Sequence, residues 1–399
     1  MVGPIPSRGR ALKLERHARR IQDPVERLRY LRRHASDPQG GQWVNIYLHR
    51  VRYLGWTLIM VLLPTSERTT RGSAEMFARE RLLLASSADS PRAPVPASRG
   101  VWLVEHSGNL ELYSNGLRID LTFAVSNRPR AQYPIFSLNG AGATGKTGTA
   151  PVGIVYHTTE SNIAPFEEDE NHRLRQLGRN LLEWTRQERS YHYVIDRFGR
   201  VFRIVDEADA AFHAGKSVWA DADGVYVNLN DSFLGVAFEA ETDAAGAVTP
   251  AQISSAKVLT EMLRARYGIP AANCVTHAQV SVNPLNMHIG DHTDWAGNFP
   301  FAALGLPDNY LIPLPSLYVF GFEYDDTFLR VAGGTWKGVT LAVDQVAQRA
   351  AAEGLPLTRY RAALRQRYRE IAAALKDSEQ DPQSHSEIIA AQKDREVVP

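Results

Sequence analysis

Apolar runs that stop at a histidine recur along this chain. Residues 152–156 form a short apolar run rich in β-branched side chains, and His157 follows it before the chain turns polar. Such a run reads as a buried strand. A histidine at its exit sits on a rigid element and still faces a cleft, which is where a scaffold holds reactive groups in fixed geometry. A second run, 273–276, delivers His277 in the same way, and a third stretch, His292-Thr293-Asp294-Trp295, lies just beyond it. The pattern brings His157, His277 and Asp294 together as candidate ligands of one metal ion.

Between these runs the periodicity alternates between strand and helix from 152 onward, as in an α/β domain. Leu174, Leu177, Leu181 and Trp184 recur at helical spacing within 171–187. Residues 191–204 read as a hairpin turning near 196–199, and 234–241 as a strand with Ala237, Glu239 and Glu241 on one face. Thr249-Pro250-Ala251-Gln252 supplies an N-cap, a proline in the first turn and a capping-box glutamine. Ile253, Ala256, Leu259 and Leu263 continue that helix, and Gly268 follows its end.

Outside this region the pattern predicts further units. Residues 1–85 read as a basic α+β region with one or two strands over 43–63, and 86–99, rich in Ser, Pro and Ala, as a linker. Residues 100–148 read as a small β subdomain whose hairpins turn at Ser107-Gly108-Asn109 and Asn115-Gly116. The main domain spans 149–308. A C-terminal helical extension, 309–376, carries helices over 339–352 and 359–375, and the polar residues 377–399 read as a disordered tail. Residues 140–147, GAGATGKT, match a phosphate-loop pattern, but that loop needs a helix opening at its lysine. Here a strand follows, so the stretch reads as a flexible Gly/Thr loop.

Composition narrows the function classes. The chain has 399 residues, 44% hydrophobic and 22% charged, with a formal net charge of +1. That is globular, of two to three domains' length, and gives no argument for nucleic-acid binding. Cys274 is the single cysteine, so no intramolecular disulfide forms. The longest strongly apolar run, 56–64, is about half a membrane span and lies too far from Met1 for a signal peptide. The expectation is a cytoplasmic protein, or one exported by a route not written in the sequence. The first 35 residues carry roughly ten Lys and Arg against about three acids. They offer either a contact for an anionic surface or a solvated helix packed on its own domain.

At these residues the sequence resembles the zinc-dependent N-acetylmuramoyl-L-alanine amidases, the type 2 family that also includes phage amidases and peptidoglycan recognition proteins. The matching pieces are GIVYHTT, YHYVIDRFGRV, FHAG, NDSFLGVAFE, the TPAQ helix, VTHAQV and HTDWAGNFPF, in the family's order, over about 150–305. The resemblance implies an α/β fold, a mixed central β-sheet flanked by helices, here with an N-terminal α+β extension and C-terminal helices. It implies Zn²⁺ held by His157, His277 and Asp294, and hydrolysis of the amide between N-acetylmuramic acid and L-alanine in peptidoglycan or muropeptides. Two imidazoles and one carboxylate suit that chemistry, because they leave one zinc position open.

The resemblance further implies Tyr191 as donor to the oxyanion, His292 as donor or proton acceptor, and His213, in FHAG, lining the substrate groove. Two departures stand out. Ala237 occupies the place of the glutamate of the cytoplasmic recycling amidases, with Glu239 on the same face as its candidate substitute. The residues between His277 and Asp294 include an inserted loop, 281–291, whose His288 and Asp291 rival Asp294 as third ligand. The alternatives to hydrolysis of this bond are a peptidoglycan-binding module without turnover and a zinc amidase acting on another amide.

Overall fold

In the computed structural model, residues 100–139, 143–242 and 248–380 are described. The chain divides into two compact units, Met1–Ala93 and Pro94–Pro399, and the described residues all belong to the second. The expected basic N-terminal region, its linker up to residue 99 and the tail beyond residue 380 lie outside the described residues. Among the described residues no helix is long and apolar enough to cross a membrane.

Strands β1 (Leu103–Ser107), β2 (Leu110–Tyr113) and β3 (Arg118–Asp120) form the two predicted hairpins, and β4 (Tyr133–Phe136) and β5 (Ala143–Gly148) follow. Next come β6 (Gly153–Thr158), helix α1 (Asn171–Glu188), and β7 (Tyr193–Ile195) with β8 (Val201–Arg203). Then β9 (Val218–Ala220), β10 (Val225–Val227), β11 (Phe233–Phe238), α2 (Pro250–Tyr267) and β12 (Cys274–Thr276) lead to the short α3 (His277–Val280). A small ribbon of β13 (Val282–Asn283) and β14 (His288–Ile289) precedes α4 (Pro315–Phe320), α5 (Asp326–Ala332), α6 (Lys337–Ala352) and α7 (Leu357–Gln380).

The main sheet has eight strands in the order β1-β2-β3-β8-β7-β11-β6-β12. It is mixed: β11 runs parallel to β6 and β7, β12 parallel to β6, and β7 antiparallel to β8. The chain is thus a mixed sheet flanked by helices, as the resemblance implied. Residues 100–148 do not form a sheet of their own. β3 pairs in parallel with β8, which adds β1–β3 to the main sheet, while β4 and β5 join β10 and β9 in a second, four-stranded sheet. Of residues 140–147, expected as a loop, 143–147 belong to strand β5, because their backbone pairs with β4.

Alternation along the strands explains the layers. One face of the main sheet, with Ile154, Tyr156, Leu234, Val236 and Phe238, packs against Ala256, Leu259 and Leu263 of α2. The other face is shared. Val194 and Ala237 pack with Leu181 and Leu182 of α1, whereas Val155, Phe233 and Val275 pack with Tyr133, Trp219 and Tyr226 of the second sheet. His157 has the parity of Val155 and emerges on this second face. The buried stripe of α1 is Leu174, Leu181, Leu182 and Thr185, whereas the expected Trp184 is 50% exposed. For α2 the expected capping box is present: the Thr249 hydroxyl accepts from Gln252 N at 3.1 Å and the Gln252 side chain accepts from Thr249 N at 2.9 Å.

Helices α4, α5 and α6 form a further core with the second sheet and the residues around β13 and β14. Gly338 lets α6 approach the chain before α4, since a Cβ there would lie 2.0 Å from the Ile312 carbonyl oxygen.

β2, β8 and α2 are also joined by a buried polar network. The Arg203 guanidinium donates to both oxygens of Glu111 at 2.9 Å, and Glu207 accepts from Tyr193, Tyr267 and Arg266. Removing one partner of such a pair leaves an uncompensated buried charge. Glu111→Ala is therefore expected to cost about 3–5 kcal/mol of stability, read as the midpoint of denaturant unfolding. An unchanged midpoint would show that the network contributes nothing.

Candidate metal centre

His157 leaves β6 on the face between α1 and the second sheet, 1% exposed. His277 opens α3 directly after β12, where the turn is fixed by Thr276 N donating to Gln279 Oε1 at 2.9 Å. Asp294 lies on the irregular loop after β14 and reaches both. Its Oδ2 is 3.1 Å from His157 Nδ1 and its Oδ1 is 2.8 Å from His277 Nδ1. The three buried ligand atoms lie within 4.8 Å of one another. A tetrahedral ion with bonds near 2.0–2.2 Å places its ligand atoms roughly 3.3–3.6 Å apart. The donor set, two imidazole nitrogens and a carboxylate converging on one point, therefore fits Zn²⁺ with small adjustments.

The rivals for the third position have other partners. His288, on β14, lies 3.7 Å from Asp325, and Asp291 accepts from Asn283 at 2.9 Å and sits 3.8 Å from Lys216.

His213 is placed differently from expectation. Its Nε2 is 3.3 Å from the Phe233 carbonyl oxygen and its Nδ1 is 3.2 Å from His157 Nε2. A carbonyl only accepts, so a neutral His213 carries its proton on Nε2 and presents a bare Nδ1 to His157. His157 then donates from Nε2, and its Nδ1 lone pair is left facing Asp294 and the metal position. Ligating histidines are commonly held by such an outer hydrogen bond. Gly235 makes room for the ring: a Cβ there would lie 2.6 Å from His213 Cγ. Asn230 Oδ1 holds the strand-like turn below it by accepting from the backbone N–H groups of His213 and Ala214 at 3.0 and 2.8 Å.

Tyr191 lies beside His157 with ring centroids 5.0 Å apart, in a left-handed conformation with φ of 64°. His292 stacks on His277 at 4.7 Å and stays exposed. Glu239 is brought to neither histidine. It is buried under α1 near Gly178, and its carboxylate accepts from Arg197 N at 3.1 Å. One further strand position carries it past the ligands, so its expected part in catalysis has no geometric support. A carboxylate not singled out by pattern acts on Tyr191. Glu160, at φ 50°, is exposed, and its Oε1 accepts from the Thr158 hydroxyl and from Thr242 N at 2.9 Å. The sequence signal for it is only its place directly after His-Thr-Thr.

Burial governs the protonation states. It lowers the His157 pKa to about 4, with His277 adding to the effect. Burial also holds His213 and His192 well below the usual histidine value, as it does, less strongly, for His292. Burial alone would raise the Asp294 pKa, but His277 and His157 outweigh it and keep the carboxyl ionised. Burial, then the charges of Asp294 and Glu160, raise the Tyr191 phenol, so it remains a donor. Burial thus favours the neutral form of His157, beside an ionised Asp294, which is the form in which such groups ligate a metal.

Residues 147–296 match the family model of N-acetylmuramoyl-L-alanine amidases. Among solved structures the chain is similar to the N-acetylmuramoyl-L-alanine amidase LysC from Clostridium intestinale URNW, at 23% identity over 47% of this chain and 93% of that one, with a TM-score of 0.26. It is also similar to the amidase AmiD from E. coli in complex with anhydro-N-acetylmuramic acid-L-Ala-D-gamma-Glu-L-Lys, at 24% identity over 41% and 59% of the chains, with a TM-score of 0.30. A third is the Drosophila peptidoglycan recognition protein SD, at 19% identity over 39% and 79%, with a TM-score of 0.25. No curated protein matches the chain.

A pH dependence follows from the buried histidines. The folded pKa values of His157, His192 and His213 lie below the unfolded value of about 6.5, so the unfolded chain takes up protons first as pH falls. Stability is full above about pH 6.5 and declines toward pH 4. Asp294 adds a loss only below its own unfolded pKa of about 4. The melting temperature of the metal-free protein is expected to drop between pH 7 and pH 5, and a flat profile across that window would contradict neutral burial.

Proposed function

We propose that this chain is a zinc-dependent hydrolase that cleaves the amide between N-acetylmuramic acid and L-alanine in peptidoglycan or muropeptides. The observation that carries the reading is the meeting of His157, His277 and Asp294 inside the segment matching the amidase family. A peptidoglycan amidase activity has the support of that match. The metal dependence and the bond cleaved are the proposal.

His157, His277 and Asp294 would hold the ion. Held there, zinc would supply Lewis-acid polarisation of the scissile carbonyl and a lowered pKa for the attacking water. The protein groups do the rest. Hydrolysis adds water across the amide, so one proton leaves the water and one reaches the departing alanine nitrogen. The products are a lactyl carboxylate and a free amine. His292, neutral and exposed beside His277, is placed to carry that proton from water to nitrogen. Tyr191, its phenol kept protonated, is placed to donate a hydrogen bond to the oxygen that gains charge as the carbonyl becomes tetrahedral. His213 serves this chemistry by fixing the tautomer of His157.

Digestion of purified muropeptides, read by mass spectrometry, is expected to release stem peptide beginning at L-alanine. The release should be lost on chelation, restored by Zn²⁺ and absent in His157→Ala. Stoichiometric zinc without any cleavage would favour a binding module or another amide substrate. Tyr191→Phe is expected to lower turnover about 10²-fold or more. An unchanged rate would remove the phenol from the mechanism.

A further inference from the structure

Asp294 is the one member of the metal group that no regular element carries. The residue after it, Trp295, is held in the left-handed region at φ 58°. An indole-bearing side chain takes that conformation only where its surroundings impose it. The surroundings here are hydrogen bonds to consecutive carbonyls of the loop. Thr293 O accepts from Ala296 N at 2.9 Å, and Asp294 O from Ala278 N, next to His277, at 3.2 Å. Trp295 O accepts from the Tyr310 hydroxyl at 2.6 Å, and Ala296 O from Trp336 Nε1 at 2.8 Å.

The last two donors come from outside the family-matching segment, which ends at residue 296. They support one another. Tyr310 and Trp336 have ring centroids 4.8 Å apart, and Phe328 of α5 packs on Trp336 at 5.0 Å. Trp336 caps α6, and that helix is pressed against the Tyr310–Ile312 chain at Gly338. The geometry points to Tyr310 and Trp336 as positioning residues for the third ligand, so that the C-terminal segment completes the metal centre. This inference rests on the metal reading above. In it, the aim of the Asp294 carboxylate at both Nδ1 atoms is set by two side-chain donors that touch neither the ion nor the substrate. A group that hydrogen-bonds a ligand directly is commonly worth 10–100-fold in metal affinity, and one that holds the ligand's backbone is expected at the low end of that range.

The test uses the full chain and the zinc ion itself. The dissociation constant for Zn²⁺ is measured by competition with a chelating indicator for the parent, His157→Ala, Tyr310→Phe and Trp336→Phe. Tyr310→Phe removes a single oxygen and keeps the ring, and so stays informative should Trp336→Phe fail to fold. Each of the two variants is expected to bind zinc roughly tenfold more weakly, with KM for muropeptide unchanged. Parent-like zinc affinity in a folded Tyr310→Phe chain, even with a lowered melting temperature, would falsify the positioning role and leave the two residues as packing alone. If the parent binds zinc and His157→Ala does not, that failure belongs to this inference and not to the site. A parent chain that binds no zinc overturns both.

Discussion

The centre of this molecule depends on one requirement: two imidazoles and one ionised carboxylate must face each other in a space nearly closed to water. Bringing a carboxylate into such a space is costly unless its oxygens are engaged. Asp294 presents one oxygen to each imidazole, 3.1 Å from His157 Nδ1 and 2.8 Å from His277 Nδ1, so that a cation held between the three groups would engage both. The architecture follows from holding those three groups. The parallel pairing of β6 with β11 and β12 puts His157 and His277 at neighbouring strand exits. Gly235 admits the His213 ring that orients His157 from behind.

Much of this was legible in the sequence, and the failures have physical causes. Strands with a buried face and helices with explicit caps announce themselves locally. α2 begins at the capping box and ends before Gly268 as read. His157 and His277 were legible because a strand exit is a local feature. The destination of β1–β3 was not, because pairing of Ile119 with Val201 is a long-range choice that hairpin turns do not encode. β5 was misread because Gly and Thr suggest a loop, while its pairing with β4 overrides composition.

The site divides in the same way. Residue type and order pointed to His157, His277 and Asp294, the resemblance pointed to Tyr191 and His292, and the structure places the last two beside His157 and His277. Glu239 was chosen as a stand-in for the family glutamate because it shares a strand face with Ala237, and parity specifies a face and not a distance along it. It faces the right side and is taken up by Arg197 N. His213 was assigned to the groove, yet its ring nitrogens address His157 and Phe233. Tyr310 and Trp336 left no signal, since they act on main-chain carbonyls, which every residue offers alike.

The insertion of β1–β3 into the main sheet bears on where this domain begins. The family-matching segment starts at residue 147, but β8 within it is covered along one side by β3, whose own side chains precede that boundary. A fragment trimmed to the matching residues would present β8 as a bare edge, with unpaired amides and carbonyls ready to recruit a neighbouring chain. It would also strand Arg203 without Glu111. The sheet's outer strands thus act as a built-in seal against self-association, and the cooperative unit of this protein is wider at both ends than its recognisable portion.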